Sequence, residues 1–525
     1  MADELKLLPD WLEGHVTTGR DPLGMQAGSI MLYQSLLPGI SNITLRARYY
    51  SFFSFLIYEY AVRFHDTTDE KWIQFLRRSE LLYALIAANA DEYQTGLAGI
   101  EWAGRALESN SSDPIDFAYG ADLATQGSGR YLKNRGGVFG AAYAGPMSEI
   151  GIIRYSDAHS IPIASEQMGV PLAEEFAVSI GEAKELFFEK IDTGLVTRDE
   201  LDALWIMRPD QIPDESREQE LLSSTLFAEG MEDSDKQTDR RKTLQLMLYV
   251  AEALASRPSQ DDFRWLCYGG QTPDSESFQA PEYLEETLKS WWVYQANDLL
   301  HVVYERFFSL ILTLLAEEPG GVELSIAAAA AARLIAREFD DVTWGAYLDS
   351  IQPSENANRR DNEESDFMLV KAICKRPKSI EDQVASSVHA VHLLAVLMQR
   401  IREHSGTLAR TYAHGAPFGR SELQSLCSEQ AFLGEHQQST LEEMFLDLLL
   451  KRVIYRHQAI ALHKLKSQGD YTFMFEIEER KATRRLTYEP VFTNPRATNA
   501  LMFVADLHLI NAEGVTDAGR RWMHA

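Results

Sequence analysis

Residues 281–316 read PEYLEETLKSWWVYQANDLLHVVYERFFSLILTLLA, and this run sets the fold class. Pro281 suits the first position of a helix, where a missing N–H costs nothing. Gly320-Gly321 stops the run, glycine being costly inside a helix. At a rise of about 1.5 Å per residue the helix is roughly 50 Å long, enough to cross a whole domain. Its second half is apolar around the full circumference except at His301, Glu305 and Arg306. A membrane span takes about 20 mostly apolar residues, and charges near its centre cost several kcal/mol. Those three side chains therefore place the run inside a protein core, enclosed by other helices.

Outward from it the chain keeps the helical period. Residues 27–37 read as a short helix stopped by Pro38-Gly39. Ser41-Asn42 offers a cap for a helix over 43–64, and 70–90 reads as the next. The 43–64 run carries Tyr49, Tyr50, Phe52, Phe53, Phe55, Tyr58, Tyr60 and Phe64. Such density suits an enclosed core helix better than a base-stacking surface. Thr197-x-x-Glu200 is a capping-box signature. An acidic connection over 209–239 holds one short helix at 218–227, and the alanine-rich run 326–339 and residues 379–404 read as further helices. The polar stretch 352–366 reads as a linker.

Strand signals are few, and each sits behind a helix. Residues 149–153 open a strand, 157–160 turn it, and Ile161 and Ile163 return. The same grammar recurs at 506–510, with a turn at 511–514 and a last helix over 516–522. Between these, Ser421 starts one helix and Ser439-x-x-Glu442 caps a second over 440–466. Residues 470–478 then alternate, with Tyr471, Phe473, Phe475 and Ile477 on one face, the period of a half-buried strand. A turn at 479–482 and a return over 483–488 complete a hairpin. Helix, helix and hairpin are the parts of a winged-helix module. The expected fold class is mainly α, a multidomain helical protein with winged-helix-like modules carrying small β-hairpins. The expected domains are an N-terminal helical bundle ending in a winged-helix-like unit over 1–205, a helical middle over 206–415, and a C-terminal winged-helix-like domain over 416–525.

Composition narrows the function classes. A formal charge of −28 and a pI near 4.9 disfavour diffuse adhesion to nucleic acid or anionic membrane, so any polyanion site must be local. Cys267, Cys374 and Cys427 are odd in number and far apart, which rules out a disulfide framework and a paired CxxC metal site. With no basic n-region leading an apolar stretch at the start, the expected compartment is the cytoplasm. No phosphate-binding GxxxxGK[ST], GxSxG, HExxH or kinase pattern occurs, so no cofactor or metal is expected.

Charge singles out the C-terminal region. From Lys451 onward twelve basic residues stand against eight acidic ones, a balance of +4, and the other 450 residues carry −32. Lys464, Lys466, Arg480, Lys481, Arg484, Arg485 and Arg496 are the candidate phosphate contacts. Their alternative role is to pair with the chain's own carboxylates. Arg130, Lys133 and Arg135 lie in a glycine-rich stretch, 120–145. Such a loop can turn its N–H groups toward an anion, or simply pack over a helix end. Arg452-x-x-x-x-His457 fits the loose spacing of HEPN ribonucleases, where such a pair would polarise an RNA phosphate and shuttle a proton. His389 and His392 share a helix face without an acid beside them, more a core boundary than a metal pair.

The stretch Pro38-Gly-Ile-Ser-Asn-Ile-Thr-Leu-Arg-Ala-Arg-Tyr-Tyr-Ser-Phe-Phe53 resembles the opening of uncharacterised bacterial proteins found in mobile or antiviral-defence gene clusters. The resemblance implies a bacterial, multi-gene setting and brings no catalytic residue. Arg46 and Arg48 sit near a helix N-terminus, where the dipole disfavours cations, so each needs an acidic neighbour or an external anion. The expected function is a non-catalytic adaptor or regulatory subunit of such a system, with other proteins of the system as partners and DNA or RNA contacted through the C-terminal module. An RNA-cleaving HEPN-like effector and a winged-helix transcription regulator are the alternatives.

Overall fold

The computed structural model describes residues 21–44, 46–90, 97–109, 114–230, 235–404, 406, 408 and 424–524. Helices dominate, and the sheets among the described residues are four two-stranded antiparallel pairs. The protein is mainly α, as the helical periodicity requires. It divides into two compact units, each assembled from three separated stretches. One takes residues up to Leu32, Trp265–Ser277 and Lys289–Thr493; the other takes Tyr33–Arg264, Phe278–Leu288 and Asn494–Ala525. The consecutive domains expected from sequence follow a different division, and their second boundary, 415/416, lies outside the described residues.

The long helix runs Glu285–Glu317, one turn later than Pro281 suggested, behind a 3-10 turn at Glu282–Leu284, and from Lys289 on it belongs to the first unit. Trp291, Val293, Leu299, Val302, Val303, Phe307, Phe308 and Ile311 have no exposed surface. Three of its polar breaks, Asp298, His301 and Glu305, meet one following segment. Asp298 accepts from the Thr493 hydroxyl at 2.7 Å, His301 Nε2 meets the Val491 carbonyl at 2.7 Å, and Glu305 accepts from Tyr488 at 2.9 Å. This ladder fastens the irregular strap 488–493 along the helix. Arg306, fully buried, spends its guanidinium on the Ile373 carbonyl, Gln383 and Glu489. Two helices, Glu282–Glu317 and Ile380–Glu403, are long and apolar enough to cross a membrane, yet 83% and 67% of their apolar windows are buried inside the protein.

The other unit is built round the helix Arg48–Phe64. Tyr49, Tyr50, Phe52, Phe53, Phe55 and Tyr60 are buried, and Phe52 stacks on Tyr83 at 3.9 Å, so the aromatic run is core. The helix starts at Arg48 rather than 43, because Asp506 receives the Ala47 N–H at 3.0 Å and takes over the capping expected of Ser41-Asn42. Thr197 and Glu200 form the reciprocal capping box that their spacing implies.

Three local expectations shift. The box expected at Ser439 and Glu442 forms one residue later, at Thr440 and Glu443. The helix expected over 440–466 is broken into Leu441–Leu448, a π-turn at Leu449–Ile454, and Tyr455–Gln468. Residues 506–510 are not a strand: Ala497–Asp506 is helical, with Ala500, Leu501, Phe503 and Val504 buried at helical spacing, and only Ile510–Asn511 pairs with Gly514–Val515. The helix expected to start at Ser421 begins outside the described residues; Leu426–Glu435 follows, capped by Ser425.

Candidate nucleic-acid interface

The hairpin joins Phe475–Glu478 to Lys481–Arg484, with Ile477 opposite Ala482 and Glu478 opposite Lys481. Its turn is two residues rather than the four that sequence suggested. Glu479 and Arg480 both take positive φ, 47° and 73°. Two left-handed residues match the right-handed twist of the strands, a geometry in which Asn-Gly is the usual occupant. Glu-Arg in this place carries a conformational cost, and it drives Arg480 outward, its side chain 85% exposed. The hairpin is anchored on one edge. Val322 exchanges hydrogen bonds of 2.8 and 3.1 Å with Ala482, which ties the hairpin to the segment just before the helix Leu324–Ala336.

Alternation places Glu476, Glu478, Lys481 and Thr483 on the solvent face. Lys481 therefore has Glu478 across the strands, and Arg485 sits 3.6 Å from Glu476 and over the Tyr471 ring at 4.7 Å. Arg480 comes no nearer than 3.7 Å to Glu323. Arg484 and Lys466 are exposed and form no ion pair among the described residues. Exposed pairs of this kind contribute little, so Arg480, Lys481 and Arg484 remain open to an outside anion.

The other candidate cations are internal. Lys464 donates to the Asp21 carbonyl at 2.8 Å, and burial pushes its pKa down. Arg496, in the other unit, donates to the Ile40 carbonyl at 2.6 Å and lies over Tyr33. These two serve the fold and do not join the hairpin's set.

The glycine-rich stretch does bind an anion, and the anion is its own. Glu80 accepts from the Tyr131 hydroxyl at 2.5 Å and from the Val138 and Phe139 N–H groups at 2.8 Å each. Gly137, at φ 63°, passes so close that any side chain there would overlap the carboxylate. One turn earlier on the same helix, Arg77 donates to the carbonyls of Ala121, Leu132 and Asn134. One side chain collects the loop's donors and the other its acceptors. Arg130 is turned to the Leu123 carbonyl, Arg135 lies 3.6 Å from Glu70, and Lys133 is exposed. Sequence marked the loop's chemistry but not Glu80, more than 50 residues upstream.

Arg46 and Arg48 likewise find acids of their own unit. Arg46 makes a two-pronged pair with Asp506 at 2.8 and 2.9 Å. Arg48 pairs with Glu218 through two bonds of 3.1 Å, both side chains fully buried.

The pair proposed for RNA cleavage is split between tasks. Arg452 turns to Glu429 at 3.8 Å and over Phe432. His457 is fully buried, its Nδ1 bonded to the Pro22 carbonyl at 3.0 Å and its Nε2 accepting the Met474 N–H at 3.0 Å. With both ring nitrogens engaged and no solvent access, it has nothing with which to move a proton on a substrate. Burial also pushes its pKa down to about 4. A histidine held neutral this way contributes stability that is present above pH about 6.5 and lost as pH falls through 4. Thermal melts of His457→Gln should therefore lack part of the acid-side decline seen in the parent protein. An unchanged decline would remove the imidazole from that account.

His389 is exposed, and His392 meets the Tyr347 hydroxyl at 3.3 Å. Among the described residues no three His, Cys, Asp or Glu side chains gather in a way that could hold a metal.

Fold and site together define a mainly α protein with a hairpin, bridged to Val322, on which Arg480, Lys481 and Arg484 are exposed. Comparison with protein-family models, curated proteins and solved structures finds no match.

Proposed function

We propose that the chain is a non-catalytic adaptor or regulatory subunit of a bacterial defence-type system, cytoplasmic, which contacts DNA or RNA phosphates through the hairpin Phe475–Arg484. The observation that carries this reading is the exposure of Arg480 on a costly two-residue turn, with Lys481 and Arg484 exposed on the two faces of the strand that follows it. Strained backbone kept at an exposed tip points to a role at that tip. The order of helix, helix and hairpin, in the manner of a winged helix, supports it further. The buried, doubly bonded His457 favours binding over RNA cleavage.

Fluorescence anisotropy with a labelled oligonucleotide tests it. The triple charge reversal Arg480→Glu, Lys481→Glu, Arg484→Glu should weaken binding about tenfold or more at low salt and reduce the salt slope by about 2–3. The same affinity and slope in parent and variant would remove nucleic acid from the reading.

A further inference from the structure

We infer that the exposed face of the helix Tyr455–Gln468 is a docking surface for a second protein, and that the partner supplies an amphipathic helix with acidic flanks. Tyr455, Ala459 and Leu462 are all exposed and recur at i, i+4 and i+7, one continuous apolar stripe. Tyr455 is 53% and Leu462 59% exposed, and Leu465 flanks them. Large apolar side chains at this spacing on a solvent face are the pattern by which one helix receives another. The opposite side of the same helix explains why it stays put. His457, Arg456 and Lys464 are bonded to the carbonyls of Pro22, Leu23 and Asp21, so the stripe is held outward by internal ties.

Charge selects the partner. The sequence of this helix, YRHQAIALHKLKSQ, has no acidic residue in a chain whose formal charge is −28. His463 and Lys466 are exposed beside the apolar stripe. Acidic flanks on the incoming helix would meet them, whereas basic flanks would not, and like-charge contact at an interface rejects wrong partners. An anionic bilayer could also use a basic amphipathic helix, but a single exposed lysine beside the stripe contributes only about 1 kcal/mol at such a surface.

The test uses the full chain and two synthetic helical peptides that share leucines at i, i+4, i+7 and differ only in flanking Glu or Lys. The Glu peptide should bind, the Lys peptide should not. Leu462→Ser should weaken the Glu peptide about tenfold or more, and Lys466→Glu should reverse the preference between the two. Because Leu462 is exposed, its replacement leaves the fold intact, which circular dichroism checks. Failure of the Glu peptide to bind, or equal binding of both peptides, would overturn the inference. So would self-association in sedimentation that Leu462→Ser abolishes, which would make a second copy the occupant. Binding to phosphatidylserine vesicles lost in the same variant would overturn it in favour of a membrane. None of these results bears on the hairpin, whose oligonucleotide assay stands separately.

Discussion

Glu218→Ala should destabilise the aromatic unit by about 3–5 kcal/mol. Glu218 is fully buried and holds Arg48 through two bonds of 3.1 Å, while it also accepts from Ser51 at 2.6 Å and Ser179 at 2.7 Å. Truncation leaves a guanidinium in a dry interior with the carbonyls of Ile206 and Arg208 and the Ser179 hydroxyl as its partners. The cost is that of an uncompensated charge, not the net value of the pair. The double variant Glu218→Leu, Arg48→Met should therefore recover much of the loss, since matched apolar replacement of a buried ion pair is often neutral or better. Denaturant titration of the three proteins measures it. A single-variant loss below about 1 kcal/mol would show that the pair is not bearing on stability.

The second large effect belongs to Glu80. Glu80→Ala orphans two buried N–H groups and the Tyr131 hydroxyl, each costing about 1–3 kcal/mol, and should loosen the 131–140 loop as well as lower the melting temperature. Burial, opposed by those three donors, leaves the carboxyl pushed up to about 7 from 4.5. A carboxyl raised on folding is fully stabilising below the lower value and loses its contribution as pH rises through the upper one. The parent protein should thus lose stability relative to Glu80→Gln between about pH 4.5 and 7. Melts of both proteins across that window decide the matter, and a constant difference would place the carboxyl's titration elsewhere. This trend runs opposite to that expected for His457 over nearly the same pH range, so the two variants change the slope of the stability curve in opposite senses.

Much of the fold was legible because it rests on local rules. The second half of the long helix announced itself by an apolar surface broken at His301, Glu305 and Arg306, and those side chains are among the ones that grip the strap and its neighbours. Thr197 and Glu200 met at a fixed spacing. Where two frames overlapped, as in Ser439-Thr440-Leu441-Glu442-Glu443, spacing alone chose the wrong one, since both satisfy the same box. The pairs that define the candidate sites were not legible for a different reason. Arg48 and Glu218 stand 170 residues apart, Arg46 and Asp506 460, and no local rule joins them. The glycine-rich loop illustrates the limit: its appetite for an anion was readable, but whether that anion came from outside or from Glu80 depended on packing. His457 was similar, since a spacing shows which residue types are present and says nothing of whether solvent reaches them. The cations of the hairpin were partly readable, because alternation placed them, while their distance from Glu323, Glu476 and Glu478 was not.

The separated stretches that build each unit bear on how the chain is made. Asp506, which caps the helix beginning at Arg48 and holds Arg46, is translated 460 residues after that arginine. At roughly 5–20 residues per second of synthesis, the nascent helix waits on the order of half a minute or more for its cap. Arg46 lacks its carboxylate throughout that interval, and Arg48 until Glu218 is made 170 residues on, which makes the emerging polypeptide a natural client for a ribosome-bound chaperone.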